Sequence, residues 1–468
     1  MADPSAILEQ IRADDVRTVD FRFTDLRGQW QHLAVAAGGV SEALLERGVM
    51  FDGSALAGWR DVSQSDMLLK PDLASAVADP FSAQPSLILI CDVAEPTTGL
   101  GYERCPRALA ERAEAHLAAS GVADRIVIAP QAEFYVFDDV RFATAGNEAF
   151  FRVDAEEGAY NSGTRYDVGN SGHRPRAGAP LAVPPIDHMA DLRAEISTML
   201  ATMGLDPRQQ HHDTAAGQST VAIGPDGLVR SADRLQIYKY VVHNVAHSYG
   251  KSATFLPKPT AFEPGSGLHI QQALWRAERP LFAGQGYADV SDDCLHYIGG
   301  ILHHARALNA FTNPATNSYR RLAPGAGAPR QLAYAALNRS AAIRLPFADQ
   351  PADKRIEARF PDPAANPYLA FAALLMAGLD GVLRQIDPGE AMDRNLYDLP
   401  PEQIDELPTV CRTLEDALDA LDQDRSFLME GEVFTDDVID AHIALKRTEI
   451  EAVERVPHPV EYQLYYSV

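Results

Sequence analysis

The sequence predicts an α+β protein of two domains, a small β-rich domain followed by a larger mixed domain. At 468 residues the chain is long enough for more than one domain and for a large buried core. Strand-like segments at 16–23 and 86–93 lie near the N-terminus, and an amphipathic helix begins at Pro106. We therefore expect domains at residues 1–103 and 104–468.

The composition argues against two classes of partner. A net charge of −24 disfavours a nucleic-acid or anionic-membrane surface, so we expect neither nucleic acid nor membrane as a partner. The four cysteines are scattered without metal-type spacing, which is typical of reduced thiols. The acidic N-terminus has no apolar segment of the signal-peptide kind, so we expect a cytoplasmic protein.

A charged strand at 355–359 is the most informative segment of the larger domain. Its alternation places Arg355, Glu357 and Arg359 on one face. Two guanidinium groups beside one carboxylate suit an anionic substrate or a metal ion across from them. A solvated edge strand with an ion pair fits the same spacing, because such pairs are common on protein surfaces.

An apolar helix is expected directly after this strand. Asn366 is suited to cap it and Pro367 to occupy its first position. Segment 368–379 is apolar nearly all round, so the helix should be buried and should hold the charged strand rigidly. A further helix is expected at 292–311, and a Gly-, Pro- and Asn-rich loop at 143–185.

Polar residues gather at three further points. Gln131 and Glu133 share one face of a predicted strand, Asp213 follows two histidines, and a glycine-rich segment leads to His269. Imidazole together with carboxylate suits manganese, iron, zinc or copper better than magnesium. These segments are therefore candidate walls of a metal or substrate site.

Six segments carry a resemblance to a known family. They are MFDGS at 50–54, QIYKYVVHN at 236–244, NRSAAIR at 338–344, RIEARFPDPAANPY at 355–368, NLYDLPP at 395–401 and EYQLYYSV at 461–468. Together they resemble the bacterial type I glutamine synthetases, and the similarity runs from end to end.

The resemblance implies the glutamine-synthetase fold, with a small N-terminal β-grasp-like domain and a large α/β catalytic domain built on a curved antiparallel sheet. It also implies a homo-dodecamer of two hexameric rings, with active sites between neighbouring subunits. The family phosphorylates the γ-carboxylate of its amino-acid substrate with ATP and then adds ammonia. Divalent cations, Mg²⁺ or Mn²⁺, assist that reaction.

The resemblance also assigns roles to residues of this chain. The catalytic residues implied are Asp52, Arg339 and Arg344. The substrate-binding residues implied are Gly265, His269, Arg321 and Arg359, and the nucleotide-binding residues are Arg344 and Arg355. One cation position corresponds to Glu133, Thr220 and either Asp213 or His212, and the second corresponds to Gln131, His269 and Glu357.

Several positions depart from the family's pattern. Thr220 and Gln131 each place a neutral group where the resemblance implies a glutamate ligand. Gly327 stands where the family has the glutamate that takes the ammonium proton. Because magnesium prefers anionic oxygen, we expect both cation positions to be weak. Substitutions at positions that contact ammonium, glutamate or nucleotide in the family are Pro180, Arg208, Pro264, Gln271 and Ala273.

Three functions fit this mixture of retained and altered residues. We favour an enzyme repurposed to act on a glutamate-like amino acid, with negligible glutamine synthesis from ammonia. Its site could hold a single transition metal on Glu133, His269 and Glu357. The alternatives are an ATP-dependent γ-glutamyl-amine ligase with a non-ammonia acceptor, and a non-catalytic structural or regulatory paralogue. The two alternatives differ in whether ATP is bound.

Overall fold

The computed structural model describes residues 3–161, 172–175, 180–325 and 327–468. In these ranges the helices are α1 (Pro4–Ala13), α2 (Glu42–Arg47), α3 (Pro106–Ser120), α4 (Ala190–Thr202), α5 (Leu228–Ser248), α6 (Asp292–His303), α7 (Ala305–Thr312), α8 (Ser318–Arg321), α9 (Pro367–Arg384), α10 (Pro401–Asp405), α11 (Leu414–Gln423), α12 (Ser426–Met429), α13 (Asp436–Glu454) and α14 (Pro459–Tyr465). The strands are β1 (Thr18–Thr24), β2 (Trp30–Ala36), β3 (Val49–Asp52), β4 (Asp66–Pro71), β5 (Val77–Ala78), β6 (Ser86–Ala94), β7 (Arg125–Phe137), β8 (Asp139–Ala145), β9 (Glu148–Asp154), β10 (Pro207–His212), β11 (Gln218–Ile223), β12 (Ser252–Thr254), β13 (Leu268–Arg276), β14 (Arg279–Pro280), β15 (Tyr334–Ala336), β16 (Ile343–Leu345) and β17 (Ile356–Ala358).

The N-terminal part of the chain forms its own sheet. The strand order is β2-β1-β6-β4-β3, with β5 beside β6. Strands β1 and β6 run parallel, and the other neighbours are antiparallel. Val19, Phe21 and Leu89 are buried completely, and nearly every residue of β1 and β6 is buried, so these two strands are covered on both faces. The predicted strands are confirmed, and the boundary at residue 103, between β6 and α3, stays a prediction.

The larger sheet has the order β10-β11-β7-β13-β17-β16-β15, with β12 beside β7 and β14 beside β13. Its pairs are antiparallel except for β15 with β16, which are parallel. The long strand β7 is central, because β11, β12 and β13 all pair with it. Helices α3 and α5 pack against β7. The α+β expectation is confirmed.

Helix α9 lies at the centre of the larger domain. The side chain of Asn366 accepts a hydrogen bond from the backbone N–H of Tyr368 at 3.2 Å, and Pro367 occupies the first turn, so the predicted start is confirmed. The helix is long and apolar enough to cross a membrane, but 78% of that window is buried inside the protein. It therefore resembles the core helix of a soluble protein.

Arg107 on α3 connects the two sheets. Its guanidinium, 4% exposed, contacts Asp72 and Asp92 of the N-terminal sheet at 2.7 and 2.8 Å. It also contacts Asp233 on α5 at 3.1 Å, and Asp233 accepts the hydroxyl of Tyr368 at 2.7 Å. This network ties the start of α9 to α3, to α5 and to the N-terminal sheet.

Two predicted segments differ in the structure. The helix expected at 292–311 is broken at His304 into α6 and α7. The loop expected at 143–185 instead includes the end of β8 and all of β9, which pair as a hairpin. Residues 162–171 and 176–179 of that loop lie outside the described residues.

His304, at the break between α6 and α7, is held by two carboxylates. The imidazole is 2% exposed, with Nδ1 2.7 Å from Asp424 and Nε2 3.0 Å from Asp380. Burial opposes its charge, but the hydrogen bonds to Asp424 and Asp380 outweigh burial and raise the pKa of His304. The imidazole therefore joins the start of α7 to α9 and to the end of α11.

His304 should make stability depend on pH. A raised folded pKa gives a contribution that is complete below the unfolded value of about 6.5 and is lost as pH rises through the folded value. We expect His304→Asn, which cannot titrate, to lower the denaturant midpoint of unfolding more at pH 6 than at pH 9. A deficit that does not change with pH would contradict this assignment.

Candidate functional site

Two adjoining cavities open beside strands β7, β13 and β17. The first has a volume of about 500 Å³, and the second about 660 Å³. Gln131, Gln209 and Gln271 line both, so the cavities meet along a wall of amide side chains. The charged residues of the first cavity are Glu133, Asp213, Arg321, Arg339, Arg344, Glu357 and Arg359, with His211 and His269 beside them.

Strand register brings the polar side chains together. His269 on β13 lies opposite Gln131 on β7, and Gln271 lies opposite Glu357 on β17. Because alternate residues of a strand share one face, Glu133 and His269 also point into the first cavity. Ile356 and Phe360, on the opposite face of the charged segment, are completely buried. The predicted alternation at 355–359 is confirmed.

Glu357 is buried between two guanidinium groups. Arg359 Nη1 lies 2.5 Å from one carboxylate oxygen and Arg344 Nη1 lies 3.3 Å from the other. Burial opposes ionisation of Glu357, but His269, Arg359 and Arg344 outweigh it and lower its pKa to about 2. Burial, with Arg359 next, lowers the pKa of His269 well below its usual range. His269 is therefore neutral at neutral pH, and Arg344 and Arg359 are the groups that stabilise the Glu357 anion.

Glu133 has a different environment. Its Oε2 accepts the backbone N–H of Gly267 at 2.7 Å and the amide of Gln218 at 3.2 Å. Burial and the negative charge of Asp213 raise the pKa of Glu133 to about 8. Thr220, which lies opposite Glu133 in the β11–β7 register, donates its hydroxyl to Asp213 at 2.9 Å. Glu133 and Asp213 thus form a pair of neighbouring carboxyl groups, and the charge of Asp213 disfavours ionisation of Glu133.

Arg321 is fixed by backbone carbonyl groups. Its two terminal nitrogens donate to the carbonyls of Phe360, Pro361 and Arg359 at 2.8 to 3.1 Å. A Cβ at Gly267 would lie 2.8 Å from Arg321 Nη2 and 3.1 Å from His269 Nε2. A side chain at position 267 would therefore displace Arg321 or His269 from its present position.

Three predicted residues lie away from the first cavity. The side chain of Asp52 is exposed at the end of β3 and accepts the N–H and hydroxyl of Ser54. His212 is buried with its Nε2 2.9 Å from Glu157, so Asp213 and not His212 faces the cavity. Arg355 lines the second cavity, where its Nε donates to Gln271 at 2.8 Å.

Gln218 lies in the site, although no role for it was predicted from the sequence. Its amide nitrogen donates to Glu133 and to the carbonyl of Gly265, both at 3.2 Å, so it joins two walls of the first cavity. The signal for it was the two-residue spacing from Thr220, which puts both on one face of β11.

The donor set does not fit a pair of divalent cations. No group of three or more His, Cys, Asp or Glu side chains arranged to hold a metal occurs among the described residues. Gln131 and Thr220 offer neutral groups, and Glu357 is already engaged by two arginines. Hard divalent cations prefer several anionic oxygens, so the residues present disagree with a two-cation arrangement.

Comparison with known proteins gives concordant matches. The family model "Glutamine synthetase, beta-Grasp domain" matches residues 15–96, and "Glutamine synthetase, catalytic domain" matches residues 103–465. The chain is 54% identical to a glutamine synthetase of Azospirillum brasilense, covering 100% of both chains. It is 52% identical to a glutamine synthetase of Escherichia coli strain K12, covering 99% of both. A cryo-EM structure of a Plasmodium falciparum glutamine synthetase has a TM-score of 0.90 at 25% identity, covering 100% of this chain and 99% of that one.

Substitution of Gly267 tests the close approach in the first cavity. We expect Gly267→Ala to lower the free energy of unfolding by about 1–3 kcal/mol, because the new methyl group would displace Arg321 and His269. Gly38→Ala is the matched control, since a Cβ there has nothing within 4 Å. Denaturant unfolding of the two variants measures the difference, and equal stabilities would refute the packing argument.

Proposed function

Because the chain belongs to the glutamine synthetase family, we propose that it forms glutamine from glutamate, ammonia and ATP. The observation that carries the proposal is the group of arginines in the first cavity, in a chain 54% identical over its full length to a glutamine synthetase. Members of this family are carbon–nitrogen ligases that use ATP and divalent cations.

The expectation of a repurposed enzyme with negligible glutamine synthesis is wrong. Identities of 51–54% to glutamine synthetases, over the whole chain or nearly so, overturn it and point to ordinary glutamine synthesis. Altered residues at single cation positions do not by themselves exclude glutamine synthesis. Orientation of the reactants and fixed positive charge also lower the barrier of a phosphoryl transfer, and the residues that supply them are retained.

Glutamate is proposed to bind in the first cavity. Arg321 and Arg359 are there, and a planar guanidinium suits a carboxylate because it can donate two parallel hydrogen bonds. Arg321 is held by three backbone carbonyls, so its position costs little ordering when substrate binds. Gly265 and His269 complete the wall beside it.

ATP is proposed to bind in the second cavity, with its γ-phosphate directed toward the first. Arg355 and Lys354 line the second cavity, and Arg125 stacks over the Trp275 ring at 4.8 Å to give a flat, basic surface. Arg344 lies where the cavities approach each other. Its buried Nε has no hydrogen-bond partner among the described residues, so it is available to an anionic ligand.

In the proposed reaction an oxygen of the glutamate γ-carboxylate attacks the γ-phosphorus of ATP and ADP leaves. Ammonia then attacks the acyl carbon, and phosphate leaves with that oxygen. Arg339 and Arg344 would stabilise charge on the transferring group, because fixed donors need little reorganisation. These arginines supply the positive charge, because the donor set of the described residues does not fit the pair of cations that the family implies.

Assembly of subunits is proposed to complete the site. Hydrogen bonds from the Ser54 hydroxyl and N–H lower the pKa of Asp52, so its exposed carboxylate is an anion able to attract ammonium. It does not line the first cavity of its own chain. The C-terminal segment exposes apolar side chains at Tyr462, Leu464, Tyr465, Tyr466 and Val468. These features support a homo-dodecamer of two hexameric rings in the cytoplasm, with Asp52 serving a neighbouring subunit.

The first test is the reaction itself. Purified protein given glutamate, ammonium, ATP and Mg²⁺ should release glutamine, ADP and phosphate in equal amounts. Arg321→Lys should raise the KM for glutamate at least about tenfold, because an ammonium group cannot donate the paired hydrogen bonds of a guanidinium. Arg320→Lys, at an exposed neighbouring position, is the control and should change little. Failure to form glutamine in the presence of ATP would overturn the proposal.

Mixing two impaired variants tests the shared site. At a glutamate concentration well below the raised KM of Arg321→Lys, Asp52→Asn and Arg321→Lys should each have low activity alone. Co-expressed, they should recover part of it, because a dodecamer that contains both variants has some sites with neither substitution. The measurement is glutamine formation per chain in the purified mixed oligomer. No recovery in oligomers shown to contain both variants would contradict a site formed by two subunits.

A further inference from the structure

We infer that the second cation position implied by the family is closed in this chain, and that Gln131 closes it. That position comprises Gln131, His269 and Glu357. At most one divalent cation is then held per chain, at the carboxylates of Glu133 and Asp213. The inference concerns binding alone and does not depend on the proposed function.

The three side chains are in position to share a ligand. Gln131 and His269 are directly opposite each other on β7 and β13. Glu357 lies on the next strand, opposite Gln271, and all of these residues line the first cavity. The position is therefore built, and what it lacks is charge, because Gln131 contributes a neutral amide where a carboxylate would face the cavity.

The charges around Glu357 disfavour a dication. Its carboxylate is the anion of the three side chains, and it is engaged by Arg359 at 2.5 Å and Arg344 at 3.3 Å. The amide nitrogen of Gln271 also donates to it, at 3.3 Å. Two guanidinium groups against one carboxylate leave the position positive, and a divalent cation would enter against that charge with one anionic ligand.

The first position keeps two carboxyl groups, Glu133 and Asp213. In the described part of the chain the basic side chains within 4 Å of them are imidazoles. Glu133 lies 3.9 Å from His269 Nε2, and Asp213 lies 3.8 Å from His211 Nε2. A cation there meets carboxylates that no guanidinium group engages directly. The two positions thus differ both in their neighbours and at residue 131, where a glutamate would give the second position two carboxylates as well.

Counting bound Mn²⁺ tests the inference. The assembled, metal-stripped protein is equilibrated with Mn²⁺, and electron paramagnetic resonance measures the bound ions per chain without glutamate or ATP. We expect at most one Mn²⁺ for the unaltered protein and one more for Gln131→Glu. Gln209→Glu is the matched control. It adds the same charge to an exposed residue on the wall of both cavities, and should leave the count unchanged.

Two Mn²⁺ per chain in the unaltered protein would overturn the inference, whatever the variants do. So would an assembled Gln131→Glu protein that binds no additional ion. If Gln131→Glu fails to assemble, the count for the unaltered protein still decides. A protein that binds one Mn²⁺ and makes no glutamine would refute the proposed function and leave this inference standing.

Discussion

The carboxylate of Glu357, buried between Arg344 and Arg359, is the interaction on which the site depends. It lies on the short strand β17, which pairs with β13 and β16, so its orientation is set by the sheet. Removing one partner of a buried ion pair typically costs about 3–5 kcal/mol, because the other charge is left unpaired. Arg344 and Arg359, two of the arginines proposed to contact the reactants, are therefore held in place by a carboxylate of the protein itself.

That arrangement needs a rigid frame behind it. Helix α9 begins nine residues after Ala358 and is buried along most of its length. Its start is tied to Asp233 through Tyr368, and from there to Arg107 and the N-terminal sheet. Arg321 donates to the backbone of the segment between strand and helix. Arg321, the core helix and the N-terminal sheet thus form one connected structure.

Sequence periodicity predicted the parts of this structure that local geometry determines. Alternation placed the charged face at 355–359, and the Asn366–Pro367 pair placed the start of α9. Alternation along β10 also puts His211 and Asp213 on one side and His212 on the other, which could have settled which of them enters the cavity. The contacts of His304, at the break between α6 and α7, could not be predicted, because Asp380 and Asp424 are distant in sequence. The altered cation ligands were a poor guide to function, because the full-length similarity to glutamine synthetases contradicts the repurposed enzyme that they favoured.

The central claim is that glutamate is activated as an acyl phosphate before ammonia is added. The most direct measurement follows ¹⁸O from the γ-carboxylate of labelled glutamate during turnover with ATP and ammonium. Because the carboxylate oxygen that attacks ATP leaves with phosphate, the account predicts one ¹⁸O atom in each phosphate formed. Glutamine that accumulates while the released phosphate stays unlabelled would contradict it.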